Sequence, residues 1–100
     1  MFGIVKKIKR EVIDKTTYME IFGDNKVAYR VLSGRMRIFE DEIITYGVEV
    51  IDHRNGQKEL IDDFSRNIED AVAFAELLIS QKIKPCQLYS KALDFLRVSI

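Results

Sequence analysis

Cys86 has the clearest route to reactivity in this chain: it follows Lys84 and Pro85 at the opening of an amphipathic stretch, where a helix N-terminus and a nearby cation both favour thiolate. It is also the single cysteine, and no histidine stands near it in sequence, so a small buried hydrophobe is the plainer reading. His53, the one imidazole, sits beside Asp52 at the mouth of an Asn55-Gly56 pair. Zinc sites draw several Cys or His ligands from the protein, and a turn histidine is ordinary. Asp62, Asp63, Glu69 and Asp70 offer oxygen ligands for a hard cation, but their spacing matches no metal loop, and acids ahead of a helix already stabilise its dipole. No phosphate-binding glycine loop, dinucleotide fingerprint or nucleophile elbow occurs. No catalytic, cofactor-binding or metal-ligating residue is assigned, and no cofactor is expected.

Charge is the second source of chemistry. The formal net charge is zero, yet nine cations face four acids up to Arg37, and seven face twelve beyond it, giving +5 and −5. Lys6, Lys7, Lys9, Arg10, Arg30, Arg35 and Arg37 are the candidate contacts for an acidic partner. The plainer reading is that the two halves neutralise each other across the fold. Cations interleaved with Tyr18, Tyr29 and Phe39 suit single-stranded nucleic acid, but the aromatics alternate with aliphatics as core residues do. The pI of about 6.6 also lies below the basic range usual for such binders.

One hundred residues, 47% of them hydrophobic, describe one domain with one core. An unpaired cysteine suits a reducing compartment, so the expected location is cytoplasmic. Lys6, Lys7, Lys9 and Arg10 interrupt the apolar opening before a signal-peptide core or membrane span could form.

Residues 1–62 read as β-rich. Stretch 4–13 fits either strand or helix, with Ile4, Ile8 and Val12 at four-residue spacing. Thr16–Phe22 and Val27–Leu32 flank Gly23-Asp24-Asn25, a hairpin. Ser33-Gly34 predicts another reversal, and Glu40-Asp41-Glu42 a third. Ile44, Tyr46, Val48 and Val50 share one face of the most regular strand, opposite Thr45, Gly47 and Glu49. Asn55-Gly56 predicts a tight type I′ turn leading into Gln57–Ile61.

Residues 66–97 read as two helices. Asn67 caps the first, with Asp70 as a carboxylate variant of the capping box. Ile68, Ala71, Val72, Ala75, Leu78 and Ile79 form its apolar stripe, widened by Phe74 and Leu77. Pro85 opens the second helix, whose buried face is Leu88, Ala92, Phe95 and Leu96. The fold class is therefore α+β: an antiparallel meander of about four to six strands followed by an αα-hairpin packed on one face of the sheet.

Tyr29-Arg30-Val31-Leu32, Tyr46-Gly47-Val48-Glu49-Val50, Ile61–Ser65, Ile83-Lys84-Pro85, Leu88 and Asp94-Phe95-Leu96 resemble a small stand-alone domain family of unknown function from clostridial-type bacteria. The resemblance spans roughly residues 29–96 and implies a compact cytosolic α+β protein, with no activity to carry over. Cys86-Gln87 departs from the polar or histidine-containing helix opening of that pattern.

The expected function is that of a non-enzymatic interaction or regulatory module, acting by docking a protein partner or by self-association as a homodimer. Leu93, Val98 and Ile100 are the candidate apolar interface, since they exceed what a two-layer core needs. A nucleic-acid accessory role through the basic half is the second reading and an enzyme of unrecognised type the third. No membrane partner is expected.

Overall fold

The computed structural model describes the backbone of residues 10–99 and the side chains of residues 14–96. Four strands, β1 (Arg10–Phe22), β2 (Val27–Ile38), β3 (Asp41–Asp52) and β4 (Lys58–Ser65), precede two helices, α1 (Ile68–Ser80) and α2 (Leu88–Ser99), with a 3₁₀ turn at Pro85–Gln87 leading into α2. The strands form one antiparallel sheet in the order β1-β2-β3-β4. The expected meander and the two C-terminal helices are thus present. Of the ambiguous stretch 4–13, residues 10–13 are strand and 4–9 lie outside the described residues.

The hairpins depart from the expected turns in three places. Ser33-Gly34 does not reverse the chain: Ser33 pairs with Thr16 and Tyr46, and Gly34 with Lys15 and Thr45. A central strand bonded on both sides outweighs the freedom of one glycine. The next turn falls earlier than expected, at Phe39-Glu40, with Asp41 already opposite Ile38 and Phe39 taking a left-handed φ of 58°. Asn55-Gly56 does not make a type I′ turn, which needs positive φ at both central residues. Only Gly56 has it, at 78°. The loop instead spans 53–56, closed by the Asp52 N–H donating to the Gln57 carbonyl (2.8 Å) and the Gly56 N–H donating to the Asp52 carbonyl (2.8 Å). The Asp52 carboxylate accepts from the Arg54 backbone N–H (2.9 Å), an Asx turn that draws two further residues into the loop.

Alternation along β2 and β3 separates two faces. On one, Val27, Tyr29, Val31, Val48 and Val50 join Ala71, Phe74, Ala75, Leu78, Leu88 and Ala92 in a single buried cluster. Phe64 stacks on Phe74 with ring centroids 4.6 Å apart, and Phe95 packs at 5.2 Å from Phe74. Tyr29 ties the cluster to the connection after α1, its hydroxyl donating to the Ile83 carbonyl at 2.9 Å. Burial pushes its phenol pKa up, against a hydrogen bond from Asn25.

The helix ends follow from local chemistry. The Asn67 side chain accepts from the Glu69 N–H (2.9 Å) and caps α1 as expected. Asp70, however, accepts from the Ser65 hydroxyl (3.4 Å), and that same hydroxyl takes the Asn67 N–H (2.9 Å). Ser65 thereby stands where the capping box would place Asp70. At the other end the Lys82 N–H bonds the Ile79 carbonyl and the Ile83 N–H bonds the Leu78 carbonyl, both at 3.1 Å. This is a Schellman motif with Lys82 (φ 51°) in the place usually held by glycine.

Candidate functional site

On the sheet face opposite the buried cluster, alternation places Leu32, Gly34 and Met36 of β2 beside Thr45 and Gly47 of β3. These residues floor a trough of about 240 Å³. Leu32 and Met36 are buried there, as is Thr45, although this is not the face of the main buried cluster. Over Gly47 the covering comes from β4. Between Ile61, opposite Val48, and Ser65, opposite Tyr46, the strand bulges and leans over Gly47. A Cβ on Gly47 would lie 2.6 Å from the Ile61 carbonyl oxygen and 3.3 Å from the Asp62 Cα. Glycine is required at this close approach.

The bulge delivers Asp62 and Asp63 to the rim. Asp62 forms an ion pair with Lys15 of β1 across the sheet, and Asp63 accepts from the Thr45 hydroxyl at 2.8 Å. The four acids singled out in sequence therefore separate. Asp62 and Asp63 belong to the trough, whereas Glu69 and Asp70 lie in the first turn of α1. Among the described residues no group of three or more His, Cys, Asp or Glu is arranged to hold a metal ion.

The candidate cations are met by carboxylates from neighbouring strands. Arg30 bonds Glu20 (2.7 Å) and Glu49 (3.3 Å). Arg35 bonds Asp14 (3.0 Å) and Glu42 (3.1 Å), and Arg37 lies 3.8 Å from Glu42. The carboxylates raise the pKa of Arg30 and Arg35 further, with Glu20 and Asp14 as the largest causes. Lys6, Lys7 and Lys9 lie outside the described residues, as does the side chain of Arg10.

The other chemically suggestive side chains have structural surroundings. Asp52 holds Arg54 in a two-pronged pair, Nε to Oδ1 at 3.1 Å and Nη2 to Oδ2 at 2.9 Å. These side-chain bonds, with the Arg54 backbone N–H, lower the Asp52 carboxyl from its ordinary 3.8 to about 2. His53 stacks on Phe22, centroids 5.1 Å apart. Cys86 is exposed, contrary to the buried reading, in the middle of the 3₁₀ turn. Pro85 takes the buried position there. Cys86 borders a shallow groove with Gln57, Lys58 and Glu59.

Of the candidate apolar interface, Leu93 is 61% exposed, while the side chain of Val98 and the whole of Ile100 lie outside the described residues. Two neighbours join Leu93. Tyr89 is 52% and Leu96 45% exposed, and the spacing 89, 93, 96 places all three on one side of α2. Leu96 is thus not part of the buried face assigned to it from periodicity. It lies about a quarter-turn of helix away from Leu88 and Phe95, on the outer side of Ala92, on a helix that turns about 100° per residue. Tyr89 also donates its hydroxyl to the Leu60 carbonyl on β4 at 2.7 Å. Sequence reasoning missed the trough, because its parts come from four separate segments. The signal it did contain was two glycines within otherwise regular strands.

The chain matches the family of unknown function DUF6514 over residues 8–97, most of its length, and belongs to that family. No curated protein and no solved structure matches it. Among the described residues no helix is long and apolar enough to cross a membrane.

Proposed function

Since its family carries no assigned chemistry, we propose from the geometry that this domain is a non-catalytic docking module that self-associates through α2. The observation that carries this reading is the stripe of Tyr89, Leu93 and Leu96, three large apolar side chains left exposed beside the buried face of the same helix. The stripe is nearly symmetric about Leu93. An antiparallel twofold at that residue brings Leu93 against its copy and Tyr89 against Leu96 of the second chain, the self-complementarity an isologous interface needs.

Two further features favour the helix over the sheet edges. β1 carries bulges between Val12 and Asp14 and between Thr17 and Met19. β4 is bulged as well, and its Leu60 carbonyl is occupied by Tyr89. Bulged and covered edges resist strand addition. The cross-strand carboxylates at Arg30, Arg35 and Arg37 weigh against the nucleic-acid reading. We place the two helices as an αα-hairpin on the cluster face of the sheet, supported by the residues they share in that cluster. A reducing, cytoplasmic setting accords with the single exposed thiol.

Sedimentation across the micromolar range tests the reading. The expected result is a monomer–dimer equilibrium that Leu93→Asp shifts to monomer while leaving the circular dichroism spectrum intact. A chain that stays monomeric at every concentration contradicts it.

A further inference from the structure

Gly34 has no structural need to be glycine. Its φ is not left-handed, and a Cβ built on it would meet only the Asp14 carbonyl oxygen at 3.6 Å, an ordinary contact. A glycine inside a strand weakens it and marks a place where something else approaches. What the missing side chain does here is keep open the floor of the trough between Leu32, Met36 and Thr45.

We propose that this trough binds a small zwitterion, a free α-amino acid with a short aliphatic side chain. Lys15 on one rim and Asp62 on the other carry opposite charges and neutralise each other across the opening. A ligand with both a carboxylate and an ammonium can enter between them, its carboxylate taken by Lys15 and its ammonium by Asp62. Every charge then keeps a partner. A zwitterion exchanges the Lys15–Asp62 pair for two new ones, whereas a ligand with one charge exchanges it for a single pair and leaves the other side chain to water. The aliphatic part rests on Leu32 and Met36, both buried. A volume of about 240 Å³ falls below the range usual for drug-sized ligands and suits a molecule of amino-acid size.

The test is a titration of the full chain with L-leucine, followed by amide chemical shifts, beside 4-methylpentanoate, which lacks the ammonium, and isopentylamine, which lacks the carboxylate. Leucine is expected to give saturable shifts at Lys15, Gly34, Thr45, Gly47 and Asp62. The singly charged analogues are expected to bind at least about tenfold more weakly, the equivalent of about 1.4 kcal/mol. Gly34→Leu fills the floor and should abolish the saturable shifts while keeping the fold, because the site accepts a Cβ. Absence of saturation into the tens of millimolar, equal binding of a singly charged analogue, or undiminished binding by a folded Gly34→Leu variant each overturns the proposal. None of these outcomes depends on the state of the α2 stripe, so the docking reading stands or falls separately.

Discussion

The two faces of the β2–β3 pair use the same strands to opposite ends. On the cluster face Val27, Tyr29, Val31, Val48 and Val50 are fully or almost fully buried against helical residues, and the sole polar tip among them, the Tyr29 hydroxyl, has a partner. On the other face the same strands present Arg30 paired with Glu20 and Glu49, then Gly34 and Gly47 where side chains are missing. The first face is filled by large apolar groups, which supply the hydrophobic and packing terms that hold the fold. The second adds a smaller set of buried side chains, Ala28, Leu32, Met36 and Thr45, ion pairs that are mostly exposed and worth little each, and an opening that stability does not explain. The larger apolar core lies on one face, and the opening between Gly34 and Gly47 lies on the other.

Substitutions that load the two faces differently sharpen this contrast. Phe74→Ala removes the ring that Phe64 and Phe95 both pack against. It should lower stability by about 3–5 kcal/mol, the usual cost of a large-to-small change in a full core, as read from chemical denaturation. On the opposite face, Gly47→Ala drives a methyl into the Ile61 carbonyl and should cost about 1–3 kcal/mol through displacement of the β4 bulge. A value as large as that of Phe74→Ala would erase the distinction between the faces.

Smaller effects lie at the ends of elements. Lys82→Gly relieves a left-handed side chain at the α1 terminus and should raise stability by about 0.5–1 kcal/mol, since the exposed Lys82–Asp24 pair at 3.7 Å forfeits little. The last effect concerns pH. The Asp52 carboxyl is lowered in the fold to about 2, so its pairing with Arg54 stabilises at pH values above its ordinary 3.8 and is lost as pH falls through about 2. Denaturation midpoints of the native chain and Asp52→Asn should therefore differ at neutral pH and converge across that acid window.

Where one short segment decides the outcome, the sequence was legible. Asn67 as a cap, the Ala71-Phe74-Ala75-Leu78 stripe and the inward face of Tyr46, Val48 and Val50 appear as their local patterns imply, whereas Ile44 is exposed and Thr45 buried, against the alternation. Turns were less so. Ser33-Gly34 is turn chemistry overruled by pairing on both sides, and Asn55-Gly56 is overruled by the Asx turn of Asp52. Phe39, Lys26 and Lys82 hold left-handed conformations that residue type does not announce. Leu96 missed the buried face because helical periodicity leaves about one residue of freedom in where a stripe ends. The trough was illegible for a different reason: Lys15 and Asp62 stand 47 residues apart and meet only because β4 bulges over Gly47.

Amide hydrogen exchange at low and high protein concentration tests the division between a stabilising core and a docking helix most directly. Raising the concentration should slow exchange along α2 from Leu88 onward and leave the β1 and β4 amides unchanged. Exchange that is independent of concentration throughout, or slowing confined to the edge strand Arg10–Phe22, would contradict the account.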